Sequence, residues 1–121
     1  MRKEKILIIE DNELNRKLIC SLLQIGQYNA FEAEDAETGI QMAHEIIPDL
    51  ILMDIQLPGM DGLAATKLLQ KDENLKDIPI VAVTSYAMSG DEDKAIDAGC
   101  AGYITKPIKT RNFLKSISKY I

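Results

Sequence analysis

Leu50-Ile-Leu-Met-Asp54, followed by Ile55-Gln-Leu-Pro-Gly-Met-Asp-Gly62, is the stretch that decides the fold. Positions 50 to 53 are apolar without interruption. A strand with one wet face alternates apolar and polar residues, whereas an unbroken run belongs in a sheet covered on both faces, the habit of parallel sheets. The polar residue comes only at the carboxyl end, at Asp54, and the turn formers Pro58, Gly59, Asp61 and Gly62 follow it closely.

Outward from that strand, similar short runs recur. Lys5 to Glu10 and Ile80 to Thr84 read as buried strands, Gly102 to Thr105 as another, and Tyr28 to Glu34 holds a weaker one. Helical segments lie between them. Asn12 can cap a helix running to about Ile25, with Leu14, Leu18, Leu22 and Ile25 on one stripe and Gly26 at the C′ position. Asp35 can cap the next, whose apolar residues include Ile40, Ala43 and Ile47 and which Pro48 ends. A third follows Gly62 to about Lys71. Ser89-Gly-Asp-Glu92 reads as a capping box opening a fourth, which stops near Gly99, and a fifth runs from about Thr110 to the end.

Strand and helix thus alternate five times within 121 residues, with no linker, repeat or low-complexity stretch. This predicts a single domain over residues 1–121 of the α/β class. Its expected architecture is a three-layer α/β/α, doubly wound (βα)5 fold on a five-stranded parallel sheet of order 2-1-3-4-5. In that order the first and third strands are neighbours and the winding reverses between them; ligands bind at the carboxyl ends of the strands there.

Composition narrows the function. The apolar fraction of 46% supports a folded protein, and no apolar run approaches the roughly 20 residues of a membrane span. No signal-peptide layout opens the chain, so the expectation is a cytoplasmic protein without membrane contact. A net charge of −5 argues against nucleic acid as partner. Cys20 and Cys100 form no CxxC pair and read as buried free thiols, and His44, the only histidine, reads as a solvated helix residue.

The polar residues that remain fall at the predicted strand ends: Glu10 and Asp11 after the first, Asp54 on the third, Thr84 and Ser85 on the fourth, Thr105 and Lys106 on the fifth. If the topology holds, carboxylates, a hydroxyl and an ammonium meet on one rim. Like charges about 4 Å apart cost roughly 1 kcal/mol per pair in water and about 4 at an effective dielectric near 20. Such a cluster persists when a cation offsets it, and magnesium prefers carboxylate oxygens and water, completing its shell with phosphate. A carboxylate can attack phosphorus and form an aspartyl phosphate, a reaction that needs positioning and charge neutralisation above all.

These residues resemble the CheY-like receiver domains of two-component response regulators, a flavodoxin-like fold. The resemblance rests on Ile9-Glu10-Asp11-Asn12, on residues 52 to 62, on Val83-Thr84-Ser85 and on Thr105-Lys106-Pro107, and it spans essentially the whole chain. Residues 12–15 and 82–92 are most similar to stand-alone DivK-like regulators. The resemblance implies that Asp54 is the phosphoacceptor and that Glu10, Asp11, Asp54 and the main-chain carbonyl of Gln56 bind Mg2+. It implies that Lys106 contacts the phosphoryl group, that Thr84 moves toward it with Tyr103 as the aromatic switch partner, and that the Lys106–Pro107 bond is cis. Gln56 and Tyr86 lie where the family tunes hydrolysis of the acyl phosphate, and Glu10 stands where many relatives have aspartate. The implied partners are a histidine kinase or histidine phosphotransfer protein and a downstream protein target, with a monomer expected and a dimer left open. The implied activity is no enzyme's, beyond catalysis of the domain's own phosphorylation and dephosphorylation. The expectation is a stand-alone regulator without an output domain that signals by conformational change to protein partners; the alternative is a receiver cut from a hybrid histidine kinase or larger regulator.

Three other readings are weaker. An aspartate-dependent phosphatase places a second acid two residues after its nucleophile, where this chain has Gln56. A flavin or nucleotide site wants glycines or hydroxyls after the first strand, and Glu10-Asp11-Asn12-Glu13 repels a bare phosphate. A receiver that only docks partners usually lacks part of the acidic cluster or the lysine, and both are present here.

Overall fold

The computed structural model describes residues 3–55, 57, 59–84, 91–106 and 108–121, without the side chains of residues 84, 91 and 92. Five strands and five helices alternate: β1 (Lys5–Ile9), α1 (Glu13–Ile25), β2 (Asn29–Ala33), α2 (Ala36–Ile46), β3 (Leu50–Asp54), α3 (Gly62–Lys71), β4 (Ile80–Thr84), α4 (Asp91–Ala98), β5 (Gly102–Thr105) and α5 (Thr110–Ser118). All pairings are parallel and the strand order is β2-β1-β3-β4-β5, as expected. The capping box at Ser89 to Glu92 and the Lys106–Pro107 peptide lie outside the described residues.

The unbroken apolar strands are explained by two cores. Leu7, Ile9, Ile51, Met53, Ile80 and Ala82 point to one face, where they meet Ala36 and Ala43 of α2, Ala65 and Leu69 of α3 and Ala95 of α4. Their neighbours Ile6, Ile8, Leu50, Leu52, Val81 and Val83 point to the other, against Ile19, Leu22 and Leu23 of α1 and Phe113 and Ile117 of α5. Alternate residues of each strand therefore serve alternate layers. At ~25 cal/mol per Å² of apolar surface removed from water, these two faces supply most of the stabilisation.

Three helix details differ from the sequence reading. The buried face of α1 is Ile19, Leu22 and Leu23, while Leu14 and Ile25 are 79% and 72% exposed and Leu18 is at the margin. Steps of four residues advance 400°, so a row at 14, 18 and 22 slides about 40° per step around the helix and only its end reaches the sheet. Gly26 is the C-cap of α1 with φ −78, and the left-handed residue is Gln27 at φ 66. Gly26 is needed for space: a Cβ there would stand 2.7 Å from Leu114 Cδ2 and 3.0 Å from the Tyr28 ring. In α2, Ile47 is the left-handed C-cap at φ 45 and is part-exposed, so it is not on the buried face.

His44 does more than face solvent. Its Nε2 lies 3.0 Å from Asp72 Oδ2, tying the last turn of α2 to the end of α3. Both cysteines are free, Cys100 buried and Cys20 half-buried. Burial first, and Glu32 second, push the Cys20 thiol up to about 11, and burial raises Cys100 as well, so neither is a ready nucleophile.

Candidate phosphoryl-acceptor site

β1 and β3 are neighbours with Ile9 opposite Met53, so the next residues along, Glu10 and Asp54, arrive side by side at the carboxyl rim. Glu10 N donates to Ala33 O of β2 at 3.0 Å, which carries the strand's alignment one residue past its end. Glu10 is 1% exposed and Asp54 4%, while Asp11 faces solvent. One carboxylate oxygen from each of Glu10, Asp11 and Asp54 lies within 4.8 Å of the others. The chain then turns into α1, where Asn12 Oδ1 accepts from Asn15 N at 3.0 Å and Asn12 N donates to Glu10 Oε2 at 3.3 Å.

The ammonium comes from the far side. Thr105 pairs with Thr84, and Lys106, directly beyond β5, extends back over the rim. Its Nζ stands 2.5 Å from Glu10 Oε1 and 3.5 Å from Asp54 Oδ2, with the side chain 13% exposed. Burial by itself would raise the Glu10 carboxyl, but contacts with Asp54, Lys106 and the Asn12 N–H outweigh it and hold the group below its ordinary value. Burial would likewise lower Lys106, and the two carboxylates outweigh it and raise the ammonium. Among the described residues Glu10 Oε1 is buried without a hydrogen bond of good angle, and the Lys106 ammonium beside it offsets its charge.

These shifts give a testable pH signature. The depressed Glu10 contributes stability above its ordinary value of 4.5, lost as pH falls through its folded value. The raised Lys106 contributes below its ordinary value of 10.5, lost as pH rises through its folded value. Lys106→Met leaves Glu10 buried without its cation and should cost about 3 kcal/mol at neutral pH in magnesium-free buffer. With the Lys106 contacts gone the Glu10 carboxyl is less depressed, so the variant's deficit against wild type should shrink as pH falls toward the carboxylate range. Urea melts of both proteins against pH measure this; parallel pH profiles would refute it.

Opposite the acids, α3 closes against β3. Asp61 caps it, accepting from Ala64 N at 2.8 Å, and Gly62 N donates to Ile55 O at 3.0 Å. Asp61 and Gly62 thus do the turn and helix-start work expected of them. Thr84 ends β4 on the same rim, and Tyr103 lies on β5 with 40% exposure. The Thr84 hydroxyl, Gln56 with its carbonyl, and Tyr86 lie outside the described residues.

A profile of the response regulator receiver domain matches residues 6–118. The chain belongs to that family. It is similar to the polar-differentiation response regulator DivK of Brucella ovis, 44% identical over 118 residues that cover 98% of this chain and 96% of the relative. The DivK of Brucella anthropi is 43% identical over the same shares. Among solved structures, the receiver domain of a sensor histidine kinase from Pseudomonas aeruginosa superimposes with TM-score 0.90 at 31% identity, covering 98% of each chain. That structure has a magnesium ion coordinated in its active-site cleft. The Vibrio cholerae chemotaxis protein CheY4 shares the fold, with TM-score 0.94 at 22% identity over 99% of this chain and all of that one. Receiver domains are signalling proteins that meet kinases and downstream targets and bind Mg2+ at an acidic site. Among the described residues no helix is long and apolar enough to cross a membrane.

The sequence reading did not anticipate Arg16 and Glu32. Arg16 Nη1 donates to Glu10 O at 2.9 Å and to Asp11 O at 3.3 Å, and its Nε lies 3.4 Å from Glu32 Oε1. The available signal was a cation in the opening turns of a helix, where the dipole disfavours it.

Proposed function

We propose that this receiver domain, a single unit over residues 1–121, accepts a phosphoryl group from a phosphohistidine onto Asp54 in a magnesium-dependent reaction. The observation that carries the reading is the convergence of Glu10, Asp11 and Asp54 within 4.8 Å beside the Lys106 ammonium. The donor set suits magnesium: all are hard oxygens, and the buried Glu10 Oε1 lacks a hydrogen bond of good angle. Glu10, Asp11, Asp54 and the Gln56 main-chain carbonyl would hold the ion, which when bound supplies positive charge against the phosphoryl oxygens.

The chain's own residues do the rest. A carboxylate oxygen of Asp54 forms the new bond to phosphorus as the phosphorus–nitrogen bond of the donor breaks, and the imidazole leaves with the electron pair. Lys106, already beside Asp54, turns its ammonium to the transferred oxygens. The Thr84 hydroxyl donates to one of them, and Tyr103 reorients with it. The phosphoryl group adds about −1.5 to −2 charge units at the rim, which biases the loops around it and the distal face. Catalysis is confined to the domain's own phosphorylation and dephosphorylation. The donor is a histidine kinase or phosphotransfer protein, the recipient a downstream protein, and the setting a cytoplasmic monomer with no role for nucleic acid or membrane.

Incubation with acetyl phosphate, followed by intact-mass measurement, tests this. One phosphoryl increment is expected with magnesium chloride and none with excess chelator. A protein that stays unlabelled, or labels equally in chelator, would sink the proposal.

A further inference from the structure

Arg16 sits near the start of α1, five residues after Asp11, and its side chain runs back toward the helix N-terminus, as helical side chains do. Its guanidinium meets two consecutive main-chain carbonyls, Glu10 O at 2.9 Å and Asp11 O at 3.3 Å. Nη1 donates to both, while Nε faces Glu32 on β2, 3.4 Å from Oε1, and the side chain is only 15% exposed. The helix dipole disfavours a cation at this end, so the placement needs these partners to hold it. The two carbonyls belong to the residues whose carboxylates lie beside that of Asp54, where β1 has ended and the Glu10 N–H makes the last bond to β2.

We propose that Arg16, braced by Glu32, is a positioning residue for the divalent-cation site: it fixes the Glu10–Asp11 backbone so that both carboxylates are aimed before the ion arrives. The proposal rests on the magnesium reading above. A planar fork bonds two carbonyls and a carboxylate at once; a lysine ammonium is a point charge on a flexible stem and does not hold the same geometry. Positioning and bulk charge predict opposite signs. Removing a nearby positive charge would tighten binding of a cation by Coulomb's law. Removing a positioning contact weakens it, by about tenfold where the partners that orient metal ligands are lost.

Calorimetric titration with magnesium chloride alone, on wild type, Arg16→Gln and Arg16→Lys, separates the two. Urea melts first establish that each variant is folded. Both variants are expected to bind magnesium about tenfold more weakly, with labelling by acetyl phosphate restored toward wild type at saturating magnesium. Affinity unchanged within about twofold, or tighter, in the Arg16→Gln variant overturns the role. If the Arg16 variants do not fold, Glu32→Gln carries the test at high potassium chloride, where the lost surface charge is screened, with an expected loss of about threefold from the broken brace and no loss as the refuting result. Wild type that binds magnesium and labels while the variants match it defeats this inference alone. Wild type that binds no magnesium defeats the proposed function and this role with it.

Discussion

Asp54→Asn is expected to take up no phosphoryl group from acetyl phosphate under conditions that label the wild type to one increment. The amide that replaces the carboxylate has its nitrogen lone pair delocalised and its oxygen uncharged, so neither atom can form the acyl phosphate. The same change removes one of three converging negative charges. Repulsion within such a cluster costs roughly 1 kcal/mol per pair in water at 4 Å and more when water is excluded. The variant should therefore be at least as stable as wild type in magnesium-free buffer, while its magnesium affinity falls. Loss of labelling with an intact or improved urea melt separates a lost nucleophile from a lost fold. Labelling equal to wild type would move the acceptor to another residue.

Gly62→Ala should be the most damaging small substitution in the chain. A Cβ at Gly62 would stand 2.2 Å from Asp54 O, 2.7 Å from Ile55 Cα and 2.9 Å from Asp54 C. All three are main-chain atoms at the end of the central strand, where no rotamer change can make room. We expect a loss of about 3 kcal/mol, the upper part of the range for overpacking. Because the obstacle is the Asp54 peptide itself, relief of the clash displaces the proposed acceptor, and labelling should slow about 100-fold in the molecules that remain folded. Gly39→Ala is the control. Its Cβ would meet Ile9 Cδ1 and Cγ1, side-chain atoms that can shift where main chain cannot, and about 2 kcal/mol is expected with labelling retained. Urea melts and acetyl phosphate time courses measure both; equal behaviour of the two variants would refute the distinction.

The fold was legible because its determinants are local. The unbroken apolar runs at β1, β3 and β4 state that both faces are covered, and the alternation with capped helices leaves one common winding. Glu10, Asp54 and Lys106 were legible for the same reason: strand ends in a parallel sheet share a rim. Packing within a helix was less so. Leu14, Leu18, Leu22 and Ile25 form a plausible stripe on spacing alone, and only the sheet decides that Ile19 and Leu23 turn inward with Leu22 instead. Gln27 took the left-handed position that Gly26 seemed made for, because crowding by Leu114 and Tyr28 already required glycine. Arg16 escaped because its partners are carbonyl oxygens, and main-chain acceptors leave no mark in a sequence.

The mounting of Asp54 has a last consequence. β3 is buried along its whole length, hydrogen-bonded to β1 on one side and β4 on the other, and roofed by both cores. Its amide protons can meet deuterium only when the entire domain opens, so they should be among the slowest to exchange. The proposed acceptor is thus bolted to the stiffest beam of the molecule, and whatever rearranges when its charge changes must be the lighter framework around it.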